Sequence, residues 1–176
     1  MAKILIVVDM QNDFVTGALG TSEAQAIVPN VVKKMNEYRE SGRRILCTMD
    51  CHSKEHYMDS LEGKHLPVPH CLYGTEGMKL IPELPFVAPG SRFQKDTFAY
   101  GSWEEILENE DDSVELCGVC SDICVIANAL AIKTAFKNLE VYVDASCCAG
   151  TTPEKHKAAM EVMKSCQINV TGENDG

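Results

Sequence analysis

An α/β fold built on a parallel sheet is what the sequence predicts, and three observations carry that prediction. Strand-like apolar runs alternate with helical patterns from Lys3 to Val170, the order in which parallel strands and their crossover helices follow one another. The first run, Lys3–Val8, is aliphatic from Ile4 onward and reads as a central strand buried on both faces. The run Val114–Val119 passes through Gly118-Val-Cys-Ser-Asp-Ile-Cys-Val125 directly into a helical pattern, with Ile126, Ala127, Leu130, Ala131 and Thr134 at helical spacing. With 176 residues the chain can bury one substantial core and is short for two. Residues 1–171 are therefore expected to form one domain, and 172–176 a disordered tail.

Composition narrows the function. A net charge of -10 argues against a nucleic-acid or anionic-membrane partner. No apolar run approaches membrane-spanning length, and Ile4–Val8 ends at Asp9 without the form of a signal peptide; the expected compartment is the cytoplasm. The nine cysteines are odd in number and come with no export signal, so reduced thiols are expected rather than a disulfide framework. Cys117, Cys120 and Cys124 invite a zinc site, but Cys117 falls inside a strand and no paired C-x-x-C knuckle is formed.

The first strand ends in Asp9, at the edge of a parallel sheet where ligands bind. Asp9 is a candidate general base, in competition with a plain turn carboxylate; Asp13 lies further into the loop. A helix follows over Ile27–Tyr38, stopped at Ser41-Gly42. The second strand, Arg44–Met49, leads to Asp50-Cys-His52, two potential ligands that project to the same side of an extended chain. Of the five histidines, His52, His56, His65 and His70 fall within nineteen positions that also hold Glu62, with Asp50 two residues before them. A divalent metal held by Asp50, His52 and His70 follows. Mixed carboxylate and imidazole ligation suits zinc first, with iron or manganese as alternatives.

Thr75–Ile81 has the pattern of a short helix, and Arg92–Lys95 that of an edge strand placing Lys95 at the sheet rim, where a solvated lysine is the competing reading. Ser102-Trp-Glu-Glu105 has the form of a capping box, and the acidic run Glu108–Asp112 that of a solvated loop. In the turn after Val119, Ser121 or Asp122 is an N-cap candidate. That would place Cys124 in the first helical turn, where unpaired N–H groups favour a thiolate. Cys124 is thus the candidate nucleophile. Leu139–Val143 forms a further strand, Thr151 or Thr152 with Pro153 starts the last helix, and Gln167–Val170 is a short closing strand.

Taken together, Asp9 with Gln11 and Phe14, Asp50-x-His52 with His56, His70-Cys71 before Gly74-Thr75, Lys95-x-Thr97-Phe98, and Gly118 through Cys124-Val125 resemble the cysteine hydrolases of the nicotinamidase/isochorismatase-like superfamily over nearly the whole chain. The resemblance implies a three-layer α/β/α sandwich with an open parallel sheet of strand order 3-2-1-4-5-6. It implies a catalytic triad of Asp9, Lys95 and Cys124, an oxyanion hole from the backbone N–H groups of Cys120 and Cys124, and a non-proline cis peptide before Cys120. Gln11 and Phe14 would contact substrate, and Glu62 would be a further metal or water-mediated ligand. The implied activity is amide hydrolysis through a cysteine thioester, with nicotinamide the first candidate, and the implied assembly is a homo-oligomer. Many nicotinamidases carry a tryptophan three positions before the second metal histidine; here that position is Pro67. Other small ureido, carbamoyl or aliphatic amides are the alternative substrates. A non-catalytic ligand-binding relative and a thiol redox protein are the alternatives of a different class.

Overall fold

A run of five aliphatic residues, Ile4–Val8 (β1), forms the centre of the molecule because every one of them is buried. The computed structural model describes residues 2–107 and 113–173. Further strands are Arg44–Asp50 (β2), Arg92–Lys95 (β3), Ser113–Val119 (β4), Glu140–Ala149 (β5) and Asn169–Thr171 (β6). All pair in parallel, in the order β3-β2-β1-β4-β5-β6.

The helices are Asn12–Val15 (α1), Ser22–Glu40 (α2), Leu61–His65 (α3), Ile126–Ala135 (α4) and Pro153–Ser165 (α5). The crossover β1-α2-β2 steps one way along the sheet, and β4-α4-β5 and β5-α5-β6 step the other way. Right-handed crossovers of opposite direction place α2 on one face and α4 with α5 on the other, giving the α/β/α layering. The direction reverses between β1 and β4, and the crevice beyond the carboxyl ends of strands at such a reversal is where α/β proteins bind ligands. Asp9 follows β1 and Cys124 follows β4, so this topology aims both into one crevice. No helix among the described residues is long and apolar enough to cross a membrane.

Several local expectations are corrected. The helix expected over Thr75–Ile81 is a series of turns, because Leu80 pairs with Gln11 in an isolated bridge. Ser102 caps nothing, and Trp103–Glu105 makes one 3-10 turn; Trp103 is buried with its Nε1–H donated to Asn128 Oδ1 at 3.1 Å, which holds the segment by tertiary contact. The strand expected to stop at Val143 continues to Ala149. Thr152 is the cap of α5, accepting from Lys155 N at 3.2 Å. The run Glu108–Asp112 and residues 174–176 of the expected tail lie outside the described residues. Glu173 is placed against Lys164, with 2.7 Å between its carboxylate and the ammonium.

A partly buried ion cluster ties α2 to the sheet. Lys34 Nζ lies 2.5 Å from Glu115 and 2.8 Å from Asp144, and the Tyr38 hydroxyl donates to the other Glu115 oxygen at 2.5 Å. Burial would raise the Asp144 carboxyl, but Lys34 and Ser146 outweigh it and hold the group below its ordinary value. A carboxyl depressed in the folded state contributes stability that is present above the unfolded value of about 3.9 and is lost as pH falls through the folded value. Replacing Lys34 with methionine leaves two carboxylates without their cation. Denaturant titration is expected to show a loss of about 1–3 kcal/mol at neutral pH, narrowing at acid pH as Asp144 is protonated. An equal loss at both pH values would contradict this account.

Candidate active site

Asp9, Lys95 and Cys124, assigned to three different strand ends, meet in the crevice. Asp9 has φ +50°, a left-handed turn that an aspartate tolerates. Its side chain is wholly buried. Thr48 donates to Asp9 Oδ1 at 2.6 Å, and Lys95 Nζ lies 2.7 Å from Oδ2. A carboxylate oxygen has two lone pairs, so Oδ2 can hold the ammonium and still accept the Cys124 proton. Cys124 Sγ lies 3.8 Å from Lys95 Nζ.

Burial, reinforced by Asp50 and only partly offset by Lys95, raises the Asp9 carboxyl above its ordinary value. Burial alone would lower Lys95, but Asp9, Cys124 and Asp50 outweigh it and keep the ammonium protonated. Burial, and then Asp9, push the Cys124 thiol well above its ordinary value. Burial thus favours the neutral thiol form of Cys124, beside the paired Asp9 and Lys95.

Sequence and packing both shape the turn that carries Cys124. Gly118 has φ +118°, and a Cβ there would strike the Val8 carbonyl oxygen, so only glycine lets β4 approach β1 before the turn. The Val119–Cys120 peptide is cis. Ser121–Val125 forms a π-helical turn whose preceding residue is Cys120, with no side-chain cap. The expectation that Ser121 or Asp122 caps the helix fails because both side chains are used elsewhere. Ser121 Oγ lies 2.9 Å from His156 Nδ1, and Asp122 accepts from the Thr151 N–H and hydroxyl at 2.8 and 2.6 Å. Both contacts lock the turn to the start of α5. Asn128 Nδ2 donates to the Cys124 carbonyl at 2.8 Å while its Oδ1 accepts from Tyr100 N at 2.9 Å. Asn128 was not singled out in the sequence; its place one helical turn after Cys124, buried, is the signal.

Asp50, His52, His70 and Glu62 offer donor atoms that all lie within 4.8 Å of one another. Asp50 Oδ2 is 2.9 Å from His52 Nε2 and 3.4 Å from His70 Nε2. The Glu62 carboxylate reaches to 3.8 and 3.6 Å of the same two nitrogens. Ligands about 2.0–2.2 Å from one zinc ion lie about 3–3.5 Å apart in a tetrahedron, so the donor set fits a single divalent cation. His70 Nδ1 lies 2.9 Å from the Val68 carbonyl and 3.2 Å from the Tyr57 hydroxyl, which leaves Nε2 free of a proton for a metal. Tyr57 packs edge-on against both imidazoles. Burial would raise Asp50, but His52, His70 and Lys95 outweigh it and hold the carboxyl below the usual range. Among the described residues no other such cluster occurs. The cysteines are free thiols and take no part in it.

A cavity of about 700 Å³ connects the two groups, lined by Phe14, Asp50, Glu62, His70, Cys120 and Cys124 among others. Phe14 faces it and packs on His70 with ring centroids 5.4 Å apart. Gln11, expected to contact substrate, does not line it. Its amide is wholly buried, donating to the Asp50 and Met78 carbonyls at 2.8 and 2.7 Å and accepting from Asp50 N at 2.7 Å. Gln11 therefore sets the backbone of Asp50 from behind the site. Asp13 accepts from Cys71 N at 2.8 Å and holds the loop after His70.

The model of the isochorismatase domain matches residues 3–175. The chain belongs to the isochorismatase domain family. Within it, the nicotinamidase/pyrazinamidase of Mycobacterium tuberculosis is 26% identical, over 96% of this chain and 97% of its own. The structure of Pyrococcus horikoshii pyrazinamidase in complex with zinc superposes with a TM-score of 0.81 at 30% identity, over 98% of this chain and 100% of that one. The N-carbamoylsarcosine amidase of Thermoplasma acidophilum superposes with a TM-score of 0.79 at 25% identity, over 100% of each.

Metal analysis of the purified protein is expected to find one divalent cation per chain, lost on replacing His52 or His70 with alanine while the circular dichroism spectrum is kept. Full metal content in both variants would reject this cluster as the site.

Proposed function

We propose that this protein hydrolyses nicotinamide to nicotinate and ammonia through a thioester on Cys124. Family membership and the nicotinamidase relatives make it a hydrolase of non-peptide carbon–nitrogen bonds, and the zinc-bound relative together with the donor cluster supports a divalent metal in its site. The single observation that carries the mechanism is the buried meeting of Asp9, Lys95 and Cys124 at the mouth of β1, β3 and β4.

In the first half-reaction Asp9 accepts the Cys124 proton as the sulfur attacks the amide carbonyl carbon. Lys95 keeps the carboxylate and the forming thiolate from repelling each other. Negative charge moves to the carbonyl oxygen, where the N–H groups of Cys120 and Cys124 receive it. Asp9 then protonates the departing nitrogen, ammonia leaves, and the thioester remains. In the second half Asp9 takes a proton from water, the water oxygen attacks the thioester carbonyl, and the proton returns to sulfur as the acid is released. A carboxyl raised by burial is suited to this double use, since it is a stronger base than an exposed aspartate and holds the transferred proton until the departing nitrogen takes it.

Asp50, His52, His70 and Glu62 would hold the metal, which when bound supplies a Lewis-acidic position for a ring nitrogen of the substrate. Phe14 on His70 offers an apolar wall for that ring. The N-carbamoylsarcosine amidase neighbour supports a second reading, hydrolysis of a ureido or carbamoyl compound by the same three residues.

Purified protein is expected to release ammonia from nicotinamide, and Cys124→Ala to lower kcat by at least about a thousandfold while the metal is retained. Lys95→Met is expected to lower kcat by about a hundredfold or more. Turnover unchanged in Cys124→Ala would sink the thioester route. Chelation is expected to raise KM more than it lowers kcat; the opposite split would give the metal a role in the chemical step.

A further inference from the structure

We infer that the site is built for an uncharged amide whose apolar body is larger than a single ring, reaching from Cys124 to a rim formed by Leu61, Leu66 and Phe98. The inference rests on the amide-hydrolase reading and narrows its substrate class. Size is the first observation. A cavity of about 700 Å³ falls in the range of about 300–1,000 Å³ that holds drug-sized ligands, well beyond the bulk of one heteroaromatic ring and its carboxamide.

The second observation is where the apolar surface lies. Of the seven large hydrophobic side chains exposed among the described residues, Leu61, Leu66 and Phe98 all line this one cavity, with exposures of 73%, 36% and 55%. Leu19 and Ile123 continue the same wall. Single exposed hydrophobics are ordinary, but three converging on one opening form a patch that gains when apolar surface covers it.

The third is charge. The lining includes Asp50, Glu62 and Asp96, and among the described residues no lysine or arginine. Lys95, beside Cys124, is buried and paired to Asp9 and Asp50 at 2.7 and 3.4 Å. A bound divalent cation would offset Asp50 and Glu62 and leave Asp96. A carboxylate carried in on the substrate would lose water without gaining a cationic side chain. Ureido acids are disfavoured on that ground, and neutral aromatic amides favoured.

The test is calorimetric binding to zinc-loaded Cys124→Ala protein, which separates affinity from turnover. The probes are nicotinamide, its fused-ring extension quinoline-3-carboxamide, and N-carbamoylglycine. The fused-ring amide is expected to bind at least about tenfold tighter than nicotinamide, about 1.4 kcal/mol, and N-carbamoylglycine weakest of the three. Adding Leu61→Ser and Phe98→Ser together should cut that preference to less than about threefold. Equal or weaker binding of the fused-ring amide, or tightest binding of N-carbamoylglycine, overturns the inference. An unchanged preference in the rim variant also overturns it, and a changed sedimentation coefficient there would reassign the rim to a contact between copies of this chain. Nicotinamide turnover by the unmodified protein is read separately. Turnover with the wrong affinity order removes only the size and charge inference, whereas the expected order with no amide turned over removes the hydrolase reading.

Discussion

The Lys95 ammonium, buried between two carboxylates, is the interaction on which the site depends. Asp9 and Asp50 end two neighbouring strands and are too deep for water to separate their charges. Lys95, at the end of the next strand, lies 2.7 Å from one and 3.4 Å from the other. Removing one member of a buried ionic group leaves its partners uncompensated at a cost of several kcal/mol, so the three stand or fall together. Asp50 belongs at the same time to the donor cluster with His52, His70 and Glu62. One aspartate thus joins the thiol chemistry to the metal position, with one oxygen turned to each side.

What holds this charge arrangement is mostly backbone. Parallel pairing of β2 with β3 sets Asp50 opposite Lys95, and pairing of β1 with β4 sets Val8 opposite Gly118, one residue before Asp9 and six before Cys124. Gln11 grips the Asp50 peptide from both sides, and Asn128 grips the Cys124 carbonyl. Gln11 spends its polarity on main-chain groups, and Asn128 on main-chain groups and the Trp103 indole N–H, so both hold the backbone without occupying the reacting side chains.

Much of this was legible in the sequence because strand ends are legible. A buried apolar run followed by a charged residue marks the sheet edge, and Asp9 and Asp50 are marked that way. Lys95 follows only the short edge-like run Arg92-Phe-Gln94, and its place, like the sheet order, came from family resemblance rather than from pattern. Glu62 was only half visible, since α3 is a single turn inside a proline-rich loop and its approach to the histidines depends on that loop folding over Tyr57. The role of Gln11 was misread because its partners are peptide groups 39 and 67 residues away. A motif of side chains carries no trace of them. The caps proposed at Ser121, Asp122 and Ser102 failed for a related reason: short polar side chains near a helix start are also the ones best able to bond across the fold, as Ser121 does with His156 and Asp122 with Thr151.

The central claim is that Cys124 carries the acyl group of the substrate. Acid quenching during steady turnover of nicotinamide, followed by intact-protein and peptide mass spectrometry, reads this directly. The account predicts a species heavier than the free protein by the mass of the substrate less ammonia, located on Cys124 and absent from Cys124→Ala. Turnover at full rate with no such adduct at any quench time, or an adduct on another residue, would contradict it.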